Sequence, residues 1–162
     1  MKNDTDRVTP ESSAAFINRE LSWLRFARRV LELARDGEVP LLERVRFAGI
    51  LGMLHDEFFM KRMSGLKRQI RNGVQKLSLD GITPREEYDA CRAEILAQCE
   101  ELAKVVEDEI RPALAKHGVG IRDYADLAAA HKKELARYVE RAVLPILTPL
   151  AVDAEHPRPL RR

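Results

Sequence analysis

The sequence predicts a mainly α-helical protein, an antiparallel helical bundle with a short β or extended segment at its C-terminus. Of its 162 residues, 45% are hydrophobic, 33% are charged and only 6% are aromatic. This composition is typical of helix-rich globular domains and not of β-sandwiches or disordered chains. Apolar residues also recur at helical spacing along most of the chain. We therefore expect one ordinary domain, or one domain and the beginning of another.

The first helix is predicted within residues 18–37. Its apolar positions follow the spacing of one helix face: Trp23, Phe26, Val30, Leu31 and Ala34. Gly37 is the expected C-terminal stop. Residues 1–15 have no periodicity and are rich in Asp, Glu, Ser and Thr, so they are expected to form a disordered tail.

The second helical stretch runs from Pro40 to Asn72-Gly73, which is longer than most helices. Gly49, Gly52 and Gly65 each weaken a helix by roughly 1 kcal/mol relative to Ala. We therefore expect a kink near Gly49–Gly52 or near Ser64-Gly65.

The third helix has the clearest start signal, because Thr83, Pro84 and Glu86 form a capping box with Pro in the first turn. Pro112 is expected to bend or end this helix before Gly118. The predicted buried stripe contains Cys91, Ile95, Leu102, Val105 or Val106, and Ile110. Cys91 and Cys99 lie about 12 Å apart on a helix, beyond disulfide reach, so both are expected to be buried free thiols.

A last helix is predicted over residues 126–143, with Leu127, Leu135, Tyr138 and Val139 as core candidates. The stretch "VLPILTPLAVDAEHPRPLRR" then predicts a short strand and an extended segment. Since a lone strand has an unpaired edge, residues 113–162 are interpreted as the incomplete start of a second, head-like domain. The first domain is expected to be helical over residues 16–112.

No catalytic residue or metal ligand can be assigned from the sequence. His55, Asp56 and Glu57 are consecutive, and consecutive helical side chains point about 100° apart, so they cannot converge on one metal or proton. A zinc motif would need histidine at position 59, which is Phe59. The other histidines, His117, His131 and His156, are expected on the surface or in loops. There is also no Gly-rich phosphate loop.

Residues 60–77 carry a run of cations without one acid. A one-signed run favours a polyanionic ligand. Pairing with acids of the neighbouring helix, residues 100–109, is an equally open alternative. The net charge of +2 is too small to indicate nucleic-acid binding. The run contains Lys61, Arg62, Lys67, Arg68, Arg71 and Lys76.

Three aromatic residues, Trp23, Phe58 and Phe59, could stack on a base, but their helical spacing beside Leu and Val predicts that they belong to the core. No apolar stretch is long enough to span a membrane, and the N-terminus does not have the pattern of a targeting peptide. We therefore expect a cytoplasmic protein.

Six segments, in order, resemble the N-terminal region of the histidine-phosphorylating polyphosphate kinases: "NRELSWLRFARRVLELA", "PLLERVRFAGI", "DEFFMKRMSGLK", "DGITPREE", "IRPALAKHGV" and "VLPILTPLAVDAEHP". The resemblance implies reversible transfer of a phosphoryl group from ATP to polyphosphate with Mg²⁺. It also implies that the phosphohistidine and the metal ligands lie in C-terminal domains outside this sequence. This helical region would position the nucleotide and support assembly, including homo-oligomers.

The resemblance also indicates which residues lie near the nucleotide. In the family, an Asn that precedes a Leu-Asp-Glu-Phe-Phe segment contacts the adenine end of ATP. Here Leu54 stands at the Asn position and His55 at that of the Leu, so Leu54, His55 and Asp56 are the nucleotide-proximal candidates. Leucine offers no hydrogen bond, which implies that the adenine contact is altered. The alternative interpretation is a stand-alone helical module that binds a protein or nucleic acid through the basic run.

Overall fold

The computed structural model describes residues 9–148, and helices account for most of them. No strand occurs in this part of the chain, so the prediction of a mainly α-helical protein is confirmed. None of the helices within residues 9–148 has the length and apolar character that crossing a bilayer requires. The contacts divide the chain into two compact units, Met1–Gly120 and Ile121–Arg162.

The first unit contains three long helical segments. A π-helical turn over Phe59–Met63 joins the second helix to the third, and another over Val105–Ile110 joins the fourth to the fifth. The helices are α1 (Arg19–Arg35), α2 (Leu41–Phe58), α3 (Ser64–Arg71), α4 (Pro84–Lys104) and α5 (Arg111–Lys116).

The directions of these segments follow from which ends are in contact. Arg44 near the start of α2 donates to the carbonyl of Ala34 at the end of α1, at 2.8 Å, so α1 and α2 are antiparallel. Arg44 also pairs with Glu109, whereas His55 near the end of α2 contacts Gln98, so α2 and α4 are antiparallel as well. The segment containing α2 and α3 therefore opposes both neighbours, and α1 and α4 run in the same direction.

The core of the first unit forms three clusters along this bundle. The first two clusters combine residues of different helical segments, and residues of α2 pack against the third, so the apolar area buried between segments is the main stabilising contribution. They are Leu24, Phe58, Met63, Leu66, Cys91 and Ile95; then Ala27, Val30, Leu31 and Leu51; then Val105, Ile110 and Leu114.

The buried face of α1 differs in part from the predicted one. Val30, Leu31 and Ala34 are buried as expected, but Phe26 is 53% exposed, so its place in the stripe was wrong. Leu24 and Ala27 are buried instead. Helices α2 and α4 both pack against α1 and bury the face that contains Leu24 and Ala27. Phe26 lies beside this face and stays exposed.

The irregular turn of the long second segment lies beside Ser64-Gly65, the second of the two places named for a kink, and not at Gly49–Gly52. Helix α2 continues without interruption through Gly49 and Gly52, and the π-helical turn ends at Met63, directly before Ser64. A π-helical turn adds a residue to one turn, so it shifts which side chains of the following helix face the core. The end at Asn72-Gly73 is as predicted, and Gly73 has a φ of 67°.

Helix α4 begins with the predicted capping box. The backbone N–H of Glu86 donates to Thr83 Oγ1 at 3.2 Å, and the N–H of Thr83 donates to the Glu86 carboxylate at 2.8 Å. The bonds that the Thr83 N–H and hydroxyl donate to the Glu86 carboxylate hold its pKa below the ordinary value. Pro112 does not end the helix, which continues to Lys116. The π-helical turn precedes this proline, whose ring would clash with a regular preceding turn.

Thr83→Ala should lower the free energy of unfolding by about 1 kcal/mol, because it leaves the Glu86 N–H at the start of α4 without its side-chain acceptor. Urea denaturation followed by circular dichroism measures this loss. Thr9→Ala, at an exposed position of the N-terminal segment, serves as the matched control. Equal midpoints for the two variants would mean that the capping box does not stabilise the fold.

In the second unit, α6 spans Ala129–Tyr138 and a π-helical turn spans Val139–Val143. The predicted helix is confirmed in type, but three of its core candidates are exposed: Leu135 at 41%, Tyr138 at 61% and Val139 at 42%. Leu127 is half-buried. The expected strand is wrong over Leu144–Ile146, which form a 3-10 turn. A proline in the first turn of this element favours helical geometry. Residues 149–162 lie outside the described part.

The two remaining domain predictions concern the ends of the first unit. Leu114 belongs to its core and the contacts separate the units after Gly120, whereas the sequence predicts a boundary at 112. Of the predicted tail, residues 1–8 lie outside the described part, and Ser13–Ala15 form a 3-10 turn capped by Ser12. The head-like character of the second unit stays a prediction.

Candidate functional site

The His-Asp-Glu stretch at the end of α2 is divided between the interior and the surface. His55 is only 5% exposed, with Nε2 at 3.0 Å from Gln98 Oε1 and Nδ1 at 3.6 Å from Cys99 Sγ. Asp56 and Glu57 are exposed. The imidazole thus lies between α2 and α4, whereas the resemblance places it at the rim of a nucleotide site.

The partners of Gln98 indicate which ring nitrogen of His55 donates to it. Gln98 is fully buried, and its amide N–H₂ donates to the Leu24 carbonyl at 2.9 Å and to Glu94 at 2.8 Å. The amide oxygen is therefore the group that faces His55, so the imidazole donates through Nε2–H. Its Nδ1 then accepts from the Cys99 thiol. Both ring nitrogens are used inside the bundle, and neither is available to a ligand.

Sequence reasoning did not identify Gln98. The signal was present, because Gln98 lies in register with the stripe that contains Ile95 and Leu102, where apolar residues are expected. A polar residue at such a position needs a buried partner. His55, on the neighbouring helix, is that partner.

An ion-pair network continues from Gln98 to the bundle surface. Arg28 of α1 donates to Glu94 at 2.8 Å and to Glu101 at 2.8 Å. Burial opposes ionisation of Glu94, but the bonds from Arg28 and Gln98 hold the pKa of its carboxyl below the ordinary value. The same pairs raise the pKa of Arg28. This network joins α1 to α4 and is structural.

Leu54, at the position of the family Asn, is half-buried and packs against the cluster of Ala27, Val30, Leu31 and Leu51. It therefore contributes to the contact between α1 and α2. Of the three nucleotide-proximal candidates, Asp56 alone is exposed.

The aromatic residues are mostly structural. Phe58 is 1% exposed and stacks on the half-buried Trp23, with ring centroids 5.0 Å apart and an interplanar angle of 29°. Their assignment to the core is confirmed. Phe59, however, is 45% exposed, so its assignment to the core was wrong. The π-helical turn that begins at Phe59 follows directly on Phe58.

The basic run separates into paired and unpaired cations. Lys61 pairs with Glu57 at 2.6 Å, and Arg62 lies 3.7 Å from the buried carboxylate of Glu20. Within residues 9–148, Asp108 forms no ion pair with the run, and the other four acids of residues 100–109 pair with cations outside it. Those pairs are Glu100 with Lys104, Glu101 with Arg28 and Arg35, Glu107 with Arg111, and Glu109 with Arg44.

The remaining cations of α3 line a groove between α3 and α4. Lys67, Arg68 and Arg71 share this groove of about 390 Å³ with Arg85 and Tyr88, and Ser64 and Ile70 complete its lining. We call it the α3–α4 groove. Within residues 9–148, none of its four cations has an acidic partner within 4.0 Å. Arg85 was missed by sequence reasoning, although its place in the first turn of α4 is unfavourable for a cation.

In proteins, Mg²⁺ is held by carboxylates and other oxygen ligands. Among residues 9–148, no three His, Cys, Asp or Glu side chains converge on one point.

The cysteines are both free, with Cys91 buried as predicted but Cys99 exposed. Burial raises the pKa of the Cys91 thiol to about 12 and also raises that of Cys99. Neither thiol is therefore an activated nucleophile.

Comparison with known proteins gives one consistent result. The family model described as "Polyphosphate kinase N-terminal domain" matches residues 16–122. The polyphosphate kinase of Mycobacterium marinum is 44% identical over 144 residues, and that of Mycobacterium avium 46% over 144 residues. Each match covers 89% of this chain and 20% of the relative. The polyphosphate kinase of Mycobacterium tuberculosis is 44% identical over 147 residues, which is 91% of this chain and 20% of the relative.

A solved structure agrees with these matches. The crystal structure of polyphosphate kinase from Porphyromonas gingivalis superimposes with a TM-score of 0.71 at 26% sequence identity, covering 91% of this chain and 21% of that chain. The chain thus spans about one fifth of the length of the relatives it matches. The chain belongs to the polyphosphate kinase N-terminal domain family.

Proposed function

We propose that this chain is the N-terminal part of a polyphosphate kinase, which transfers the γ-phosphoryl group of ATP to polyphosphate. In this enzyme the helical unit supports nucleotide positioning and assembly and contributes no reacting group. The observation that carries the proposal is the family match over residues 16–122. No feature of the described residues favours a stand-alone binding module.

The buried polar groups support this division of labour. Phosphoryl transfer depends mainly on positioning and on neutralising charge. The two ring nitrogens of His55 are hydrogen-bonded to Gln98 and Cys99, so we do not propose His55 as a phosphoryl acceptor. The phosphohistidine and the Mg²⁺ ligands would belong to catalytic domains beyond this sequence. When bound there, Mg²⁺ would neutralise the charge that develops on the phosphates.

Location and assembly follow from the same proposal. ATP as phosphoryl donor is consistent with the cytoplasm. Apolar side chains at the surface of the first unit, among them Phe26, Leu42 and Met60 at 53%, 71% and 70% exposure, support contact with further domains or with a second copy.

The contribution of Leu54 can be tested in a chimera. Residues 16–120 of this chain would replace the corresponding segment of the Mycobacterium tuberculosis enzyme. We expect the chimera to synthesise polyphosphate, and Leu54→Asn to lower its KM for ATP by about 2- to 10-fold, the value of one added hydrogen bond. Met53→Asn, at a neighbouring position that is 65% exposed, should leave KM unchanged.

Two outcomes would contradict the proposal. A folded chimera without ATP-dependent synthesis would show that this helical unit does not support the reaction. Synthesis of polyphosphate by residues 1–162 alone would show that the chain contains the reacting groups itself. Circular dichroism of the chimera and its variants separates loss of function from loss of structure.

A further inference from the structure

We propose that the α3–α4 groove is a binding site for linear inorganic polyphosphate, with Lys67, Arg68, Arg71 and Arg85 as its phosphate contacts. This inference deepens the proposed function and rests on it, since it names the ligand that the helical unit itself holds. Of the basic run, only Lys67, Arg68 and Arg71 are included as phosphate contacts, and Arg85 of α4 is added to them. Lys61 and Arg62 are left out because Glu57 and Glu20 already neutralise them.

The cations of the α3–α4 groove are placed where they contribute little to the stability of the fold. Lys67 and Arg71 are four residues apart on α3, and Arg68 and Arg71 are three apart, spacings at which like charges destabilise a helix. The C-terminal end of α3 compensates part of that repulsion, because cations are favoured there. Arg85 receives no such compensation, since it occupies the second position of α4, where the helix dipole repels cations.

The two acids in the first turn of α4 already accept hydrogen bonds from other residues. In the first turn of α4, the Glu86 carboxylate accepts from Thr83, and Glu87 accepts from the Asn18 side chain at 2.8 Å. The cations that hold the bundle together have partners, as Arg28 does with Glu94. The groove instead gathers four cations without a partner in the described part of the chain. Such a site attracts a ligand that brings several negative charges.

The side chains that line the groove suit a chain of phosphates better than a nucleic acid. Arg side chains bind phosphate oxygens through paired N–H groups, and a run of phosphates can engage several of them at once. Tyr88 is the aromatic residue of the groove, and it packs against the core cluster of Leu24 and Phe58. It is therefore a poor platform for stacking bases, which single-stranded nucleic-acid sites use. These features favour a bare phosphate chain over RNA.

Binding to the full 162-residue chain provides the test. Fluorescently labelled polyphosphate would be titrated at several salt concentrations against the wild type and the double variant Arg71→Gln/Arg85→Gln. We expect at least about tenfold weaker binding, and a salt slope of log K reduced by about 0.7 for each cation removed. Arg46→Gln/Lys104→Gln is the control of equal charge, at sites 71% and 66% exposed outside the groove, and should change affinity less than about twofold.

Three outcomes would overturn the inference. Equal loss in both double variants would mean that binding follows net charge alone. Unchanged affinity in the groove variant, and in a second variant, Lys67→Gln/Arg68→Gln, would mean that the ligand lies elsewhere. Single-stranded RNA that binds as tightly, with the same sensitivity to the variants, would identify a nucleic-acid site. If the chimera synthesises polyphosphate but the groove variants bind polyphosphate as tightly as the wild type, only the inference about the groove is wrong. If the chimera folds without activity but polyphosphate binds specifically to the groove, only the proposed function is contradicted.

Discussion

Phe58→Ala should lower the free energy of unfolding by about 3–5 kcal/mol, and Phe59→Ala should lower it by less than about 1 kcal/mol. The two residues are adjacent and chemically identical. Phe58 is 1% exposed and Phe59 is 45% exposed. The expected difference between the variants therefore measures the effect of burial on the same side chain.

The size of the effect follows from what surrounds Phe58. Its ring contacts a cluster built from α1, α3 and α4 and stacks on Trp23 at 5.0 Å. Truncation to Ala removes this stacking, which contributes about 0.5–1.5 kcal/mol. It also leaves a cavity that the surrounding helices cannot fill, because each of them is held in place by its other contacts. Phe59 has no comparable enclosure, and its truncation removes mainly surface area.

Urea denaturation of the full chain, followed by circular dichroism, would give both values, provided that the variants share the wild-type dependence of unfolding free energy on urea concentration. Near-equal midpoints for the two variants would contradict the packing of α2 described above. Destabilisation by Phe59→Ala alone would mean that the buried face begins one residue later, and that the π-helical turn does not start at Phe59.

Local signals predicted the helix boundaries well. The capping box at Thr83 and the glycine at position 73 specify their conformations through nearby backbone groups, so a short window of sequence contains the needed information. The prediction of the strand at Leu144–Ile146 failed for the opposite reason. Aliphatic and β-branched residues favour strands only where another strand pairs with them, and none is described here.

Predictions that depend on neighbouring helices were less successful. Periodicity identified an apolar face on α1 but could not choose between Phe26 and Ala27, since that choice depends on where α2 and α4 pack. The charge of α3 is visible in the sequence as a run of cations, but the α3–α4 groove itself is not. Arg85 joins that groove across a loop, and only the fold brings it there.

Gln98→Leu should lower the free energy of unfolding by about 2–4 kcal/mol, because it removes the buried partner of His55 and leaves the imidazole N–H without an acceptor. His55→Leu should cost about 1–3 kcal/mol, because it leaves the Gln98 amide oxygen without a donor. The double variant places two apolar side chains of similar shape against each other. It should be more stable than the sum of the single losses predicts, with a coupling energy of about 1–3 kcal/mol.

The same denaturation measurements on the four members of this cycle would give the coupling energy. Gln69→Leu, the same change at an exposed position of α3, is the control and should alter stability by less than about 0.5 kcal/mol. Strict additivity of the two buried substitutions would mean that His55 and Gln98 do not share a hydrogen bond. The imidazole would then be free for another partner, and the argument that its nitrogens are withheld from phosphate would lose its basis. A double variant that is more stable than the single losses predict would instead mean that Gln98 holds His55 within the bundle. That result agrees with a supporting domain that contributes no reacting group.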